Sequence, residues 1–180
     1  MNSPKYQKPK QIGWGAIALS SFALGGFLWS TATPASAQAA YGSYVGVGGT
    51  VGVTSGPNDS GTPAGGVVAV RYRLLEVPIS LRTQVLISDT TAVVPTVSYD
   101  IPLNWQTDAY IGAGVAFQNG SDNNASPVGN QTSFVIQPGI DYSFPSSNLV
   151  LFGNAIIAFD AYKNGGGTAA AFQGGLGVRF

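Results

Sequence analysis

Apolar and polar residues alternate along most of the chain after residue 40. In residues 170–180, one face holds apolar side chains, namely those of Ala170, Phe172, Leu176, Val178 and Phe180. The other face holds Gln173 and Arg179. A period of two is the pattern of a strand, because successive side chains point to opposite faces. The same pattern recurs and predicts eight strands in all, at 41–53, 66–74, 77–87, 91–103, 108–118, 132–142, 149–162 and 170–180.

The two faces of these strands differ in charge. One set is almost wholly Val, Ile, Leu, Ala, Phe and Tyr, without a charge. The opposite set contains a predicted lumen charge layer of Arg71, Arg73, Arg82, Asp100, Asp141, Asp160 and Arg179. A soluble barrel has the reverse arrangement, with an apolar interior and a charged exterior. The pattern therefore predicts an all-β fold, an eight-stranded antiparallel up-and-down transmembrane β-barrel with lipid outside.

The predicted connections differ in length, and those after strands one and five, at 54–65 and 119–131, are long and rich in Gly, Asn, Ser and Pro. Short periplasmic turns and longer outer loops are typical of outer-membrane barrels. These two loops are the candidate sites for an extracellular ligand. Pro95 and Pro138 fall inside strands and predict bulges or misplaced strand limits. Phe152 and Ile156 on the lumenal face leave open a one-residue slip of strand seven.

The first 37 residues have the layout of a secretory signal peptide. Lys5, Lys8 and Lys10 precede an uncharged, mostly apolar run at 12–29, and Ala35-Ser-Ala37 supplies a cleavage pattern. The alternative is an uncleaved transmembrane anchor, which the glycines within the run disfavour. We therefore expect cleavage near Ala37, a signal peptide at 1–37 and a barrel domain at 38–180.

Composition limits the chemistry that the exported part can perform. It carries five basic and eight acidic residues, a net charge of −3, which gives no footprint for nucleic acid. The chain contains no cysteine and no histidine. The commonest metal ligand and general base are therefore missing, and we expect no cofactor and no enzymatic activity.

The charge layer has two interpretations. Opposed charges could form a selectivity filter, or they could form a salt-bridge layer that satisfies buried charges. An eight-stranded barrel is only wide enough for side chains to fill it, which favours the structural interpretation. Inward glycines at 46, 48, 112, 114, 175 and 177 are expected to leave some room for water. We expect three arginines to pair with two aspartates: Arg71, Arg73 and Arg179 with Asp100 and Asp141.

The alternating segment YIGAGVAF at 110–117 and the ending GVRF at 177–180 resemble the transmembrane domain of OmpA-like and opacity-type outer-membrane proteins. The resemblance implies outer-membrane lipid and the outer-membrane assembly machinery as partners, in a Gram-negative or cyanobacterial source. It also implies a terminal assembly signal formed by Phe172, Leu176, Val178 and Phe180. The function expected is structural or surface-interacting, through the outer loops. A narrow porin-like pore is the alternative, and a soluble secreted barrel of the lipocalin type is less favoured.

Overall fold

The computed structural model of the chain describes residues 42–54, 63–118, 126–163 and 165–180. Eight antiparallel strands pair in chain order, and β8 pairs with β1 to close the barrel, so the predicted fold class is confirmed. The predicted signal segment 1–37 and loop residues 55–62 and 119–125 lie outside the described residues. The strands are β1 (Tyr44–Gly52), β2 (Ala64–Arg73), β3 (Ile79–Ile87), β4 (Ala92–Pro102), β5 (Thr107–Gln118), β6 (Ser133–Ser143), β7 (Leu149–Phe159) and β8 (Thr168–Arg179).

The strands differ from the sequence prediction at their ends. Strand one begins at Tyr44 rather than at residue 41, and strand seven ends at Phe159 rather than at residue 162. Asp160 has a φ of 55°, in the left-handed region, and this conformation ends the extended backbone. β3 begins at Ile79 rather than at 77, because the backbone N–H of Leu74 donates to the Ile79 carbonyl and closes a turn at 74–78.

The predicted alternation of faces is confirmed. No outward position of the eight strands carries a charge, and large apolar side chains such as Val47 and Phe172 are exposed there. Phe152 and Ile156 are fully buried on the lumenal side, together with Asn154. Strand seven therefore does not slip by one residue, and the lumen is partly apolar.

The two prolines do not form bulges. Between β4 and β5, the pairing is interrupted at Pro95: the pair Val93↔Phe117 is followed by the pair Thr96↔Gly114. On one side of Pro138, it runs from Ile136↔Ile157 to Gly139↔Asn154. Each gap spans equal numbers of residues in both strands, so the register is kept. Proline lacks an N–H and therefore interrupts the hydrogen-bond ladder on one side of its strand. Both prolines lie inside their strands, as predicted.

The barrel has two unlike ends. The short-turn end carries the connections 74–78, 103–106 and 144–148, and β1 starts there. The long-loop end carries the connections 53–63, 88–91, 119–132 and 160–167. The lumen between them is stratified, with charges toward the short-turn end and apolar side chains toward the long-loop end.

Candidate functional site in the barrel lumen

Two arginines and two aspartates form a closed ring of ion pairs inside the barrel, which we call the ion-pair ring. Arg71 lies 2.8 Å from Asp100 and 3.0 Å from Asp141. Arg82 lies 3.2 Å from Asp100 and 2.9 Å from Asp141. All four side chains are at most 3% exposed. Each charge thus faces two opposite charges, as a buried ionic group requires.

Hydroxyl groups complete the hydrogen bonding of the ion-pair ring. The Ser80 hydroxyl accepts from Arg71 Nε at 3.1 Å and donates to Asp100. The Ser98 hydroxyl accepts from Arg82 Nε at 2.9 Å and donates to Asp100 Oδ1 at 3.1 Å. Strand alternation explains the placement, because Ser80↔Ser98 is a paired position and Arg82 lies two residues along β3. A fully connected polar network of this kind is rigid.

Aromatic rings fill the space beside the ion-pair ring. The Arg82 guanidinium lies 3.3 Å from the centre of the Tyr110 ring, a cation–π contact. Tyr44 stacks on Phe152 with ring centres 5.9 Å apart and donates to Asp141 Oδ1 at 3.0 Å. Sequence reasoning did not assign Tyr44 or Tyr110 to this cluster.

Inward glycines make room for these aromatic rings. Where a ring lies against a glycine, the expectation that the glycine leaves room for water is wrong. A Cβ at Gly46 would lie 2.8 Å from the Phe152 ring, and one at Gly175 would lie 2.7 Å from the same ring. A Cβ at Gly139 would lie 2.4 Å from the Tyr110 ring. At Gly48 the neighbouring backbone takes the space, with the Gly174 carbonyl oxygen 2.0 Å from a Cβ position.

Asp108 joins the cluster at the short-turn end, and sequence reasoning missed it. Its Oδ2 atom accepts from Arg71 at 3.2 Å and from Arg73 at 3.1 Å. The signal was present, since Asp108 lies two residues before inward-facing Tyr110 in β5. Arg73 and Asp108 are partly exposed and line a cavity of about 340 Å³ at this end, together with Leu75 and Trp105.

The seven residues of the predicted charge layer do not all lie together. The structure brings together Arg71, Arg73, Arg82, Asp100 and Asp141. Asp160 is exposed at the long-loop end, because the strand ends before it and the inward alternation no longer applies. Arg179 is half-buried in β8 and donates to the Ser147 carbonyl at the short-turn end. Arg73 pairs with Asp108 rather than with the predicted aspartates.

Buried amide side chains occupy the middle of the lumen. They are Gln84, Gln137, Asn154 and Gln173, each at most 7% exposed. Gln137 Oε1 accepts from the Thr96 hydroxyl at 2.7 Å, and Gln173 Nε2 donates to Thr50 at 3.4 Å. We call this layer the amide chamber.

The long-loop end of the lumen is closed by apolar side chains and by part of the β5–β6 connection. Leu86, Val94, Val135 and Ile156 point inward and are fully buried. Val128, from the connection, is also fully buried and belongs to the same apolar cluster. We call residues 126–131 the plug segment, because they lie across this end of the lumen.

The four residues of the predicted terminal signal share the outward face of the last strand. Phe172, Leu176, Val178 and Phe180 are between 51% and 56% exposed. Among the described residues, no helix is long and apolar enough to cross a membrane, and no group of three acidic side chains is placed to hold a metal ion.

Comparison with known proteins shows the fold and no closer relationship. No protein-family model matches the sequence, and no curated protein matches it. Neisserial surface protein A (NspA) aligns with a TM-score of 0.54 and 15% identity over 77% of this chain and 97% of that chain. Ail, the attachment invasion locus protein of Yersinia pestis, aligns at 0.51 and 16% over 77% and 97%. A de novo designed transmembrane β-barrel aligns at 0.50 and 11% over 77% and 96%.

Proposed function

We propose that this chain is a non-enzymatic outer-membrane β-barrel with a closed lumen, which acts through its outer loops as a structural or surface-interaction protein. The short-turn end would face the periplasm and the long-loop end the outside. The observation that carries the proposal is the inversion of polarity, in which all strand charges face the lumen.

The exterior supports a lipid environment. Outward side chains that are about half exposed include Val47, Leu81, Ile111, Phe134 and Leu176, which together surround the barrel. A soluble protein rarely exposes an apolar band that encircles the molecule. In a bilayer the same band is covered by acyl chains, and the closed ladder leaves no strand edge unpaired.

The lumen supports a closed barrel over the alternative of a porin-like pore. The ion-pair ring occupies the lumen toward the short-turn end, and the buried apolar side chains around Val128 occupy it at the long-loop end. An ion crossing the lumen would have to break buried ion pairs and then pass an apolar layer, and both steps are costly.

Two measurements test this proposal. The refolded barrel in detergent should migrate differently on a gel before and after boiling, and it should need detergent to stay in solution. Equal migration together with solubility in plain buffer would favour the lipocalin-type alternative. In planar bilayers the inserted barrel should give no stable conductance steps, and reproducible ohmic steps would establish the pore instead.

Export, assembly and ligand binding remain predictions. Signal cleavage near Ala37 predicts an amino terminus close to residue 38, which mass spectrometry of the outer-membrane form can measure. Recognition of the terminal strand by the assembly machinery is supported by the exposed row that ends at Phe180. A ligand at loops 54–65 and 119–131 would meet the long-loop end from outside.

A further inference from the structure

The plug segment is unusual for a connection because it is buried. Five consecutive residues, from Ser126 to Asn130, are buried. Connections ordinarily run over the surface, where water satisfies their backbone groups. Here groups of the protein make these hydrogen bonds instead of water, which indicates that the barrel has a specific binding site for this segment.

One side chain from the barrel wall holds most of the plug segment. Gln118, the last residue of β5, donates through Nε2 to the carbonyl oxygens of Val128 at 3.0 Å and Gln131 at 2.8 Å. Its Oε1 atom accepts from the Ser126 hydroxyl. Removal of this one amide side chain would therefore leave three polar groups of the plug segment without their present partner.

The β7–β8 connection holds the other side. The backbone N–H groups of Asn130 and Gln131 donate to the Ala161 carbonyl at 2.9 and 3.2 Å. Asn130 Oδ1 accepts from the Lys163 backbone N–H at 2.9 Å. Gly129 has a φ of +108°, and a Cβ there would lie 2.2 Å from the Ala161 carbonyl oxygen. Only glycine fits this close approach.

Polar atoms without partners lie deeper in the lumen, in the amide chamber. Among the described residues, Gln84 Oε1, Gln137 Nε2 and Gln173 Oε1 are buried and have no hydrogen-bond partner. Such atoms are costly when left unpaired and gain free energy when a hydrogen-bonding molecule reaches them. The amide chamber therefore has binding capacity for water and for small uncharged solutes that carry hydroxyl or amide groups.

We propose that the plug segment is a gate that admits water and small uncharged hydrogen-bonding solutes from the long-loop end into the amide chamber. The ion-pair ring remains in place as the floor, so the chamber is a vestibule with one entrance and not a pore. The plug segment is the element that moves, because it is held by one apolar side chain and by separate hydrogen bonds to Gln118 and to residues 160–163, and not by a strand ladder. The wall is held by continuous ladders, and local opening occurs where such support is least.

The inference rests on the proposed function only in assigning the gate to the outer side of the membrane. Its test uses a thiol reporter, since the chain contains no cysteine. Ala158→Cys places a thiol in the apolar cluster that contains Val128. Thr132→Cys places one at an exposed position beside the plug segment. The barrel is refolded in detergent, and the rate of labelling by a small, uncharged, water-soluble maleimide is measured.

We expect Ala158→Cys to label slowly but measurably, and much more slowly than Thr132→Cys. Adding Gln118→Ala should raise the Ala158→Cys rate by at least about tenfold, because the plug segment loses its main anchor. Thr132→Ala, an exposed change in the same connection, is the matched control and should leave the rate unchanged. Val128→Asp should act like Gln118→Ala by a different route, the loss of the apolar anchor.

Two results would overturn the gate. The first is an Ala158→Cys labelling rate that is the same with and without Gln118→Ala and Val128→Asp. The second is the absence of detectable labelling in all of these proteins. Gel mobility before and after boiling is recorded for each variant. A barrel that keeps its heat-modifiable mobility but fails the labelling test contradicts the gate alone. Loss of heat-modifiable mobility in the unaltered chain contradicts the proposed function.

Discussion

Asp141→Asn is the change that bears most directly on the ion-pair ring. The Asp141 carboxylate accepts from Arg71 at 3.0 Å, from Arg82 at 2.9 Å and from the Tyr44 hydroxyl at 3.0 Å. The asparagine has nearly the same shape, so it removes the charge without leaving a cavity. The asparagine oxygen can take the place of Oδ2, which accepts from both guanidinium groups, and the amide nitrogen then faces the Tyr44 hydroxyl.

The magnitude follows from the charge balance of the cluster. Three arginines and three aspartates are in contact in the unaltered lumen, and the substitution leaves an uncompensated positive charge. Breaking a buried ion pair by removal of one partner costs about 3–5 kcal/mol. Because the remaining oxygen can still accept from both guanidinium groups, we expect the lower end of this range, about 3 kcal/mol, roughly a hundredfold change in the unfolding equilibrium.

Urea unfolding of the refolded barrel measures this effect. The folded fraction is read from the unboiled gel band, and Asp89→Asn, the same chemical change at an exposed turn, is the control. We expect a lower midpoint for Asp141→Asn, an unchanged midpoint for Asp89→Asn and no conductance for either protein. An unchanged midpoint for Asp141→Asn, with altered conductance or ion preference, would refute the structural interpretation and establish a filter.

Three further predictions follow from the two faces of the barrel. Gly175→Ala should destabilise by about 1–3 kcal/mol, because its Cβ would lie 2.2 Å from the Val47 carbonyl oxygen and 2.7 Å from the Phe152 ring. Adjacent Gly174→Ala, whose nearest neighbouring atom is 3.6 Å away, should change urea stability by less than about 0.5 kcal/mol, and equal effects would contradict the face assignment. Val47→Lys should cost about 2–4 kcal/mol in lipid, and a neutral result in liposome refolding would argue against burial in the bilayer. Deletion of Phe180 should reduce outer-membrane accumulation in cells while refolding into detergent persists; normal accumulation would exclude a role in assembly.

The sequence was sufficient for the parts of the fold that depend on local alternation. Side-chain direction in a strand repeats every two residues, so inward and outward sets such as Arg71 and Tyr72 follow from spacing alone. The same rule assigns Asp108 to the inward face of Tyr110, although the predicted charge layer did not include it. The rule fails where a strand ends. Asp160 has inward parity, but its left-handed backbone takes it out of the strand.

The partners inside the lumen could not be predicted from one strand at a time. Asp141 meets Arg71 and Arg82 across the barrel, and these contacts depend on closure rather than on neighbouring strands. The burial of the plug segment depends on Ala161, which lies in another connection. A polar, glycine-containing segment such as 126–131 has no apolar period, so its sequence predicts an exposed loop.

The proposed function requires that the outward face of the barrel contact lipid while the inward face does not. Since the chain contains no cysteine, single cysteines can be placed at successive positions of β8 from 172 to 178 and labelled with a nitroxide in liposomes. We expect a period of two, with high accessibility to oxygen and low accessibility to a water-soluble nickel complex at 172, 174, 176 and 178. High nickel accessibility at these four positions would contradict it.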